Sequence, residues 1–227
     1  MIEMLQKSKF GYFLATDSLQ FGFKPNISTS HAIYTLKNTS DYFSNNHSRI
    51  FLAFLDCSKA FDRISHWGLF IKLMKRNVPL CFLMTVMFLY LNMTCDCKWN
   101  RVKSRVFEIP SGTKQGGILS PDFFSLYIDD LISLLKASGF GCHMINICIS
   151  AIFFADDVVL LSPSLSGLQK LIDICVSYCS TFCLDFNIKK SKIMVEGERL
   201  CEDQLSPVTL NGLSLDYVTE YRKYQKL

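Results

Sequence analysis

The segment AIFFADDVVLLS, residues 151–162, is the most informative part of the sequence, because two adjacent acids interrupt an almost entirely apolar run. The flanks Ile152–Ala155 and Val158–Leu161 are rich in β-branched and aromatic residues, which predicts a tight hairpin with Asp156 and Asp157 at its tip. Burying an ionised carboxylate is costly and two neighbouring carboxylates repel each other, so such a pair persists where cations neutralise it. The pattern therefore predicts a metal site, although either Asp taken alone fits a turn or cap residue equally well.

A third acid, Asp56, ends another apolar run. The segment RIFLAFLD, residues 49–56, is continuously apolar after its first residue, which is typical of a strand buried on both faces. If one sheet contains this strand and the hairpin, Asp56 joins Asp156 and Asp157 at one edge. Hard carboxylate oxygens select Mg²⁺ over zinc or copper.

Helical and strand patterns alternate irregularly along the rest of the chain. This irregularity indicates an α+β fold in one domain rather than a doubly wound fold. The apolar segment Val78–Leu91 is too short to span a bilayer and predicts a buried helix. The predicted helices are 31–46, 58–76, 80–91, one starting at Ser120, and 164–183; the predicted hairpins are 97–109 and 145–161.

The net charge and the cysteine content exclude few classes of protein. The net charge is +4, but the segment from Arg63 to Val106 contains a single acid, Asp96, among its basic residues. This local excess suits a phosphate backbone and equally suits a solvated face. The 10 Cys residues are scattered, and the N-terminal residues lack the features of a signal peptide. We therefore expect reduced thiols in an intracellular protein, with neither nucleus nor cytoplasm favoured, no membrane association and no disulfide-linked partner.

A second acid pair, Asp129-Asp130, must be weighed against the first. Polar residues recur at spacings of three and four around it, and apolar residues trace the opposite stripe of the same helix. We therefore predict that Asp129 lies on the solvent-facing side of a helix that starts at Ser120-Pro121. This predicts that Asp129 and Asp130 do not form the metal site.

With these residues placed, the chain resembles the reverse transcriptases of non-LTR retrotransposons, in particular the jockey-like RNA-directed DNA polymerases. Four ordered blocks are more specific than any one acid pair. A further segment, LQFGFKPNISTSHAI at 19–33, is similar to the family's finger-to-palm connection, although KPNIST lacks the Arg and Gly of many relatives. The four blocks are FLDCSKAFDRISH at 54–66, SGTKQGGILSP at 111–121, FADDVVLLS at 154–162 and LDFNIKKSKIMV at 184–195.

The resemblance implies template-directed addition of deoxynucleotides to a primer 3′-OH. Asp56, Asp156 and Asp157 would be both catalytic and metal-binding, with two Mg²⁺ ions for which Mn²⁺ can substitute. The implied partners are an RNA template, a DNA primer and a dNTP. The implied nucleotide-binding residues are Phe61 as a steric gate against a 2′-OH, Gln115 and Gly116 beside template and nucleotide, and Lys190 near the pyrophosphate. Outside the resemblance, Phe61 fits a core aromatic and Lys190 a solvated face.

The resemblance also implies an architecture. We expect a polymerase palm, in which a small antiparallel sheet packs on helices, with partial fingers and no thumb. Within one domain spanning 1–227, we expect a finger-to-palm segment at 1–48, a palm core at 49–195 and the start of a primer-grip region at 196–227. A fragment of this extent is expected to extend a primer weakly or not at all.

Two alternatives remain open at this stage. One is a decayed or domesticated palm that binds nucleic acid without catalysis. The other is a reverse transcriptase of the group II intron maturase type.

Overall fold

In the computed structural model of the chain, the strand β1 (Arg49–Asp56) is the central strand of a five-stranded sheet. Seven of its eight residues are buried, as expected for a continuously apolar run with neighbours on both sides. It pairs antiparallel with β9 (Asp157–Ser162) on one side and with β10 (Lys192–Gly197) on the other. The two edge strands are β8 (Ala151–Phe154) and β13 (Asp216–Tyr217), and the strand order is β13-β10-β1-β9-β8. Within this sheet, the pairing of β10 with β13 is parallel and the other pairings are antiparallel. The predicted antiparallel sheet therefore carries one parallel edge strand.

Residues 2–114, 116–197 and 206–219 are described by the structure. Contacts between residues group the chain into two units, of which the first comprises Met1–Ala15 and Lys59–Tyr127 and the second comprises Thr16–Ser58 and Ile128–Leu227. The division into finger-to-palm, palm and primer-grip segments stays a prediction. The helices are α1 (Ile2–Phe10), α2 (Thr29–Asn45), α3 (His66–Lys75), α4 (Leu80–Leu91), α5 (Ser120–Ala137) and α6 (Leu165–Thr181).

The second unit contains the sheet and the helices that cover it. Helices α2 and α6 both contact β1, and α6 also packs against β9. Helix α6 begins where Ser164 Oγ accepts a hydrogen bond from the Gly167 amide at 3.1 Å, which satisfies one of the free N–H groups of the first turn. The buried face of α6 includes Leu168, Leu171 and Ile172, so apolar packing holds this helix on the sheet.

The predicted strand-turn-strand at 145–161 is shorter than expected. The strand β8 (Ala151–Phe154) pairs with β9, as predicted. Residues 147–149 instead form β7 (Ile147–Ile149), which pairs with β6 (Cys142–Met144) in a separate ribbon. The second small ribbon of this unit joins β11 (Thr209–Leu210) to β12 (Leu213–Ser214).

The first unit is mainly helical. The predicted helix 58–76 is wrong in its first part, because Lys59 adopts a left-handed conformation with φ 49° and only a 3₁₀ turn follows at Ala60–Asp62. Helix α3 begins at His66 because Ser65 Oγ accepts a hydrogen bond from the Gly68 amide at 3.3 Å and caps the first turn. The hairpin predicted at 97–109 is present but begins earlier, at Thr94, and is divided into two short ribbons. They pair β2 (Thr94–Cys95) with β5 (Phe107–Glu108) and β3 (Lys98–Trp99) with β4 (Val102–Lys103).

Helix α4 departs from the prediction of a buried helix. Phe82, Leu83, Val86 and Tyr90 are buried, whereas Leu80, Met84, Phe88 and Leu91 are exposed. The sequence is apolar on every face, so composition alone could not distinguish the packed face from the exposed one. Among the described residues, no helix is long and apolar enough to cross a membrane.

The prediction that Asp129 faces solvent is wrong. Asp129 is only 7% exposed, and its Oδ1 accepts a hydrogen bond from the Asp17 amide at 2.7 Å. Asp17 in turn pairs with Lys136 of the same helix at 2.6 Å. A partner distant in sequence therefore buries a polar residue that helical periodicity alone assigns to solvent. Asp129 and Asp130 do lie inside helix α5, as predicted.

Candidate active site

The structure brings Asp56 and Asp157 together at one edge of the sheet. In the register of β1 against β9 the two residues are direct partners, at the end of one strand and the beginning of the other. Directly opposed residues of an antiparallel pair have Cβ atoms about 4.5–5.5 Å apart. Asp156 precedes Asp157 in the loop between β8 and β9. Asp56 therefore lies at the same end of the sheet as an acid pair about 100 residues later in the sequence.

The backbone around Asp56 is fixed by the segment that follows α6. Its N–H donates to Ser191 Oγ at 3.3 Å, and its carbonyl accepts from the Asn187 amide at 2.8 Å. Ser191 Oγ also donates to the Asn187 carbonyl at 2.8 Å. Asp56 is buried, so these bonds hold both the strand end and the direction in which the side chain leaves it.

Lys190 supplies positive charge beside the buried acid. Its Nζ lies 3.5 Å from Asp56 Oδ2, and its side chain is 65% exposed. The ammonium partly neutralises a carboxylate that would otherwise be costly to keep ionised away from water. The structure thus places the predicted pyrophosphate-side lysine against one of the three predicted carboxylates.

The loop that carries Asp156 is strained and closely packed. Ala155 and Asp156 connect β8 to β9, and Ala155 has φ 57°, a region that normally favours glycine. The Ala155 amide donates to Gln20 Oε1 at 3.3 Å. A Cβ on Gly22 would lie 2.3 Å from the Ala155 nitrogen, so only glycine fits there. The segment around Gln20 therefore packs against the backbone of the acidic loop.

Cys57, next to Asp56, does not supply a thiolate. Burial raises the pKa of its thiol well above the usual value, and the nearby Cys179 and Asp156 raise that pKa further. A buried protonated thiol is a poor metal ligand and a poor nucleophile. The potential ligands at this edge are therefore the carboxylate oxygens.

The other predicted site residues belong to the first unit or lie outside the described residues. Phe61 is half-buried, and its ring stacks on Phe124 with centroids 4.7 Å apart. Gly116 is exposed and has φ 75°, a left-handed conformation that suits glycine. Gln115 lies outside the described residues. Their roles stay predictions.

The donor chemistry at the sheet edge suits Mg²⁺, because all three side chains offer hard oxygen atoms. Lys190 already places a cation beside Asp56. Within residues 2–114, 116–197 and 206–219, however, no three His, Cys, Asp or Glu side chains are arranged closely enough to hold a metal ion. The backbone register collects the three acids, while their side chains do not converge on one point. Metal binding at this edge stays a prediction.

The family follows from comparison with known proteins. The profile of the family described as "Reverse transcriptase (RNA-dependent DNA polymerase)" matches residues 3–220. The chain belongs to this reverse transcriptase family. It is 34% identical over 148 residues to the Pol polyprotein of the type-2 retrotransposable element R2DM of Drosophila melanogaster, covering 65% of this chain and 14% of that protein. It is 25% identical over 214 residues to the RNA-directed DNA polymerase of the mobile element jockey of the same species, covering 92% of this chain and 23% of that protein.

Solved structures agree on the fold of this reverse transcriptase chain. Apo telomerase from Candida tropicalis superposes with a TM-score of 0.65 at 13% identity, over 86% of this chain and 37% of that one. Telomerase from Candida albicans gives a TM-score of 0.63 at 14% identity, over 94% and 35%. The predicted mixture of helices and sheet is therefore confirmed, as is the predicted kinship with non-LTR retrotransposon enzymes.

Sequence reasoning missed two residues that shape this edge. Gln20 lies within a segment that the sequence resemblance included, but no role was assigned to it. Ser191 lies beside the lysine that was singled out. The signal for Gln20 is an uncharged polar residue between Leu19 and Phe21, followed by Gly22, which is typical of a strand edge in close backbone contact.

Proposed function

We propose that this chain is the catalytic palm region of an RNA-directed DNA polymerase from a non-LTR retrotransposon. The reaction is nucleotidyl transfer from a dNTP to a primer 3′-OH, directed by an RNA template. The observation that carries the proposal is the register of β1 against β9, in which Asp56 opposes Asp157 beside the loop that contains Asp156. The chain spans only 14–23% of the two retrotransposon proteins compared above, so these substrates are assigned to it by proposal.

Asp56, Asp156 and Asp157 would hold two Mg²⁺ ions, with Mn²⁺ as a substitute. When bound, such ions lower the pKa of an attacking hydroxyl and neutralise charge on a triphosphate. The protein's own contribution is to fix the acids before substrate arrives. The hydrogen bonds around Asp56 and the tight loop at Ala155 support that assignment, because preorganised charge needs little rearrangement during reaction.

Lys190 would act on the pyrophosphate side of the reaction. Its exposed ammonium lies 3.5 Å from Asp56 Oδ2. Once other cations neutralise Asp56, the ammonium can leave this carboxylate and pair with a phosphate oxygen. Its Nζ would then stabilise or protonate the leaving group. Phe61 would exclude a ribose 2′-OH, while Gln115 and Gly116 would lie along template and nucleotide.

The palm assignment covers residues 49–195, with a finger-to-palm segment at 1–48 and the start of a primer grip at 196–227. The exposed ribbon around Trp99, with Lys98, Arg101 and Lys103, suits the phosphate backbone of the template or primer.

Nucleotide binding tests the function without requiring processive synthesis. A fluorescent dTTP analogue is titrated into the protein in MgCl₂ and in EDTA. We expect Mg²⁺ to tighten binding about tenfold, equivalent to about 1.4 kcal/mol. Asp156→Ala should abolish this tightening, whereas the matched control Asp130→Asn, at the other acid pair, should retain it.

Equal tightening in Asp156→Ala and the unchanged protein would contradict the proposed site. Primer extension on poly(rA)/oligo(dT) provides the second measurement. RNA binding without any dependence of nucleotide binding on Mg²⁺ would favour the alternative of a palm that binds nucleic acid without catalysis.

A further inference from the structure

Gln20 is a buried amide beside the acidic loop, in the second unit. Its side chain is fully buried. Its Oε1 accepts hydrogen bonds from the Gly22 amide at 3.0 Å and from the Ala155 amide at 3.3 Å. The Ala155 amide belongs to the residue immediately before Asp156. One side-chain oxygen therefore joins two backbone segments that are far apart in sequence.

The backbone on either side aligns this oxygen. Phe21 donates its N–H to the Phe153 carbonyl at 2.8 Å, and the Phe153 N–H donates to the Leu19 carbonyl at 2.9 Å. Gln20 and Phe153 thus form a parallel bridge at the free edge of β8. The amide orientation is also determined, because turning it over would point an NH₂ group at two N–H donors.

Burying this glutamine has a cost that packing does not explain. Its Nε2 is buried and has no hydrogen-bond partner among the described residues. An apolar side chain of similar size would avoid that cost. The amide oxygen instead bonds the Ala155 N–H, and the left-handed φ of 57° at Ala155 must be held by such surroundings.

We infer that Gln20 is a positioning residue for the acidic loop. Its Oε1 holds the Ala155 N–H and so fixes the direction in which the Asp156 and Asp157 carboxylates leave the hairpin. The functional consequence rests on the proposed function, because it concerns the same carboxylates and their affinity for divalent ions. The structural claim, that Gln20 restrains the Ala155 amide, stands apart from it.

Two readouts test the inference on the whole chain. Hydrogen exchange of the Ala155 amide, followed by NMR, reports the restraint directly. Binding of Mn²⁺, followed by electron paramagnetic resonance, reports its consequence for the acids. Gln20→Met keeps the length of the side chain and removes the acceptor, whereas Gln20→Glu keeps an oxygen facing the two amides. Ser150→Ala is the matched control, since Ser150 is fully buried and its hydroxyl also has no partner among the described residues.

We expect Gln20→Met to accelerate exchange at Ala155 about tenfold, the size of effect expected for the loss of one hydrogen bond. Mn²⁺ affinity should fall severalfold. Gln20→Glu should restore the slow exchange, and Ser150→Ala should change neither readout. Loss of dispersed amide signals from β1 and β9 would identify a misfolded Gln20→Met. Gln20→Leu, which also lacks the acceptor, then takes its place with the same expected acceleration.

Unchanged exchange at Ala155 in folded Gln20→Met would overturn the inference, and so would fast exchange in Gln20→Glu. Equal loss of Mn²⁺ affinity in Ser150→Ala would also overturn it, because the effect would then be general. If the unchanged protein binds no Mn²⁺, the proposed metal site fails, while exchange at Ala155 still decides whether Gln20 positions the loop.

Discussion

Replacing Asp157 by Asn should stabilise the metal-free protein. Asp157 lies opposite Asp56 on the neighbouring strand, and like charges directly opposed across strands destabilise a sheet by roughly 0.2–1 kcal/mol. Asn keeps the shape and most of the hydrogen-bonding capacity of Asp while it removes the charge. Lys190, at 3.5 Å from Asp56, already offsets part of the repulsion. We therefore expect a gain of about 0.5 kcal/mol, toward the middle of that range.

Thermal unfolding measures the stability of the metal-free protein in EDTA and the stabilisation by Mg²⁺ in MgCl₂. For a domain of this size, 0.5 kcal/mol corresponds to a Tm increase of roughly 1–2 °C in EDTA. Mg²⁺ at ten times its Kd should stabilise the unchanged protein by about 1.4 kcal/mol, through binding to the folded state alone. Asp157→Asn should gain much less from Mg²⁺, because one of the proposed ligands is weakened.

The order of stabilities should therefore reverse between the two buffers. The matched control Asp130→Asn should follow the unchanged protein in its response to Mg²⁺. A lower Tm for Asp157→Asn in EDTA, or an undiminished response to Mg²⁺, would refute the reasoning that these acids repel each other and share a cation.

Three further predictions follow from individual contacts. Ala155→Gly should raise the free energy of unfolding in urea by about 0.5–1 kcal/mol, because Gly adopts the φ of 57° without strain, and a loss of stability would contradict this. Burial raises the pKa of Asp17, but the Leu19 N–H and the Lys136 ammonium outweigh burial, so the pKa in the folded protein is lowered. The carboxylate therefore stabilises the fold above the unfolded pKa of about 3.9, and this contribution is lost as the pH falls through the lower folded pKa. Lys136→Met should flatten this acid dependence in unfolding measured from pH 7 down to pH 2, and an unchanged profile would count against it. Trp99→Ala should weaken poly(rA) binding by about 1–3 kcal/mol in a filter-binding assay, because Trp99 is 81% exposed among basic residues, and equal affinity would exclude stacking.

The sequence was sufficient to predict the strands that carry the acids. Both β1 and the β8–β9 hairpin are apolar runs bounded by Asp, and burying such runs requires neighbours on each side. The sequence therefore predicted that Asp56 and Asp157 lie at the same end of one sheet. The exact register of β1 against β9 could not be predicted, because packing across the whole sheet decides between registers that differ by one residue.

Two buried polar residues, Asp129 and Gln20, were not predicted to be buried. Asp129 has the helical spacing of a solvent-facing residue, yet it is buried and accepts a hydrogen bond from the Asp17 amide. Gln20 bonds the Ala155 amide across a similar distance along the chain. Periodicity reports only local geometry, so it cannot show which remote segment binds a buried polar residue. The first part of the predicted helix 58–76 failed for another reason, namely the left-handed Lys59 and the cap at Ser65.

Iron-directed cleavage locates a bound divalent ion relative to the backbone. Fe²⁺ added in place of Mg²⁺, with ascorbate and peroxide, generates radicals that cut the backbone only near the bound ion. We predict cuts near Asp56 and near Asp156 in the same protein, suppressed by excess Mg²⁺ and lost in Asp157→Asn. Cuts near only one of these positions, or an unchanged pattern in Asp157→Asn, would contradict a shared metal site at this edge of the sheet.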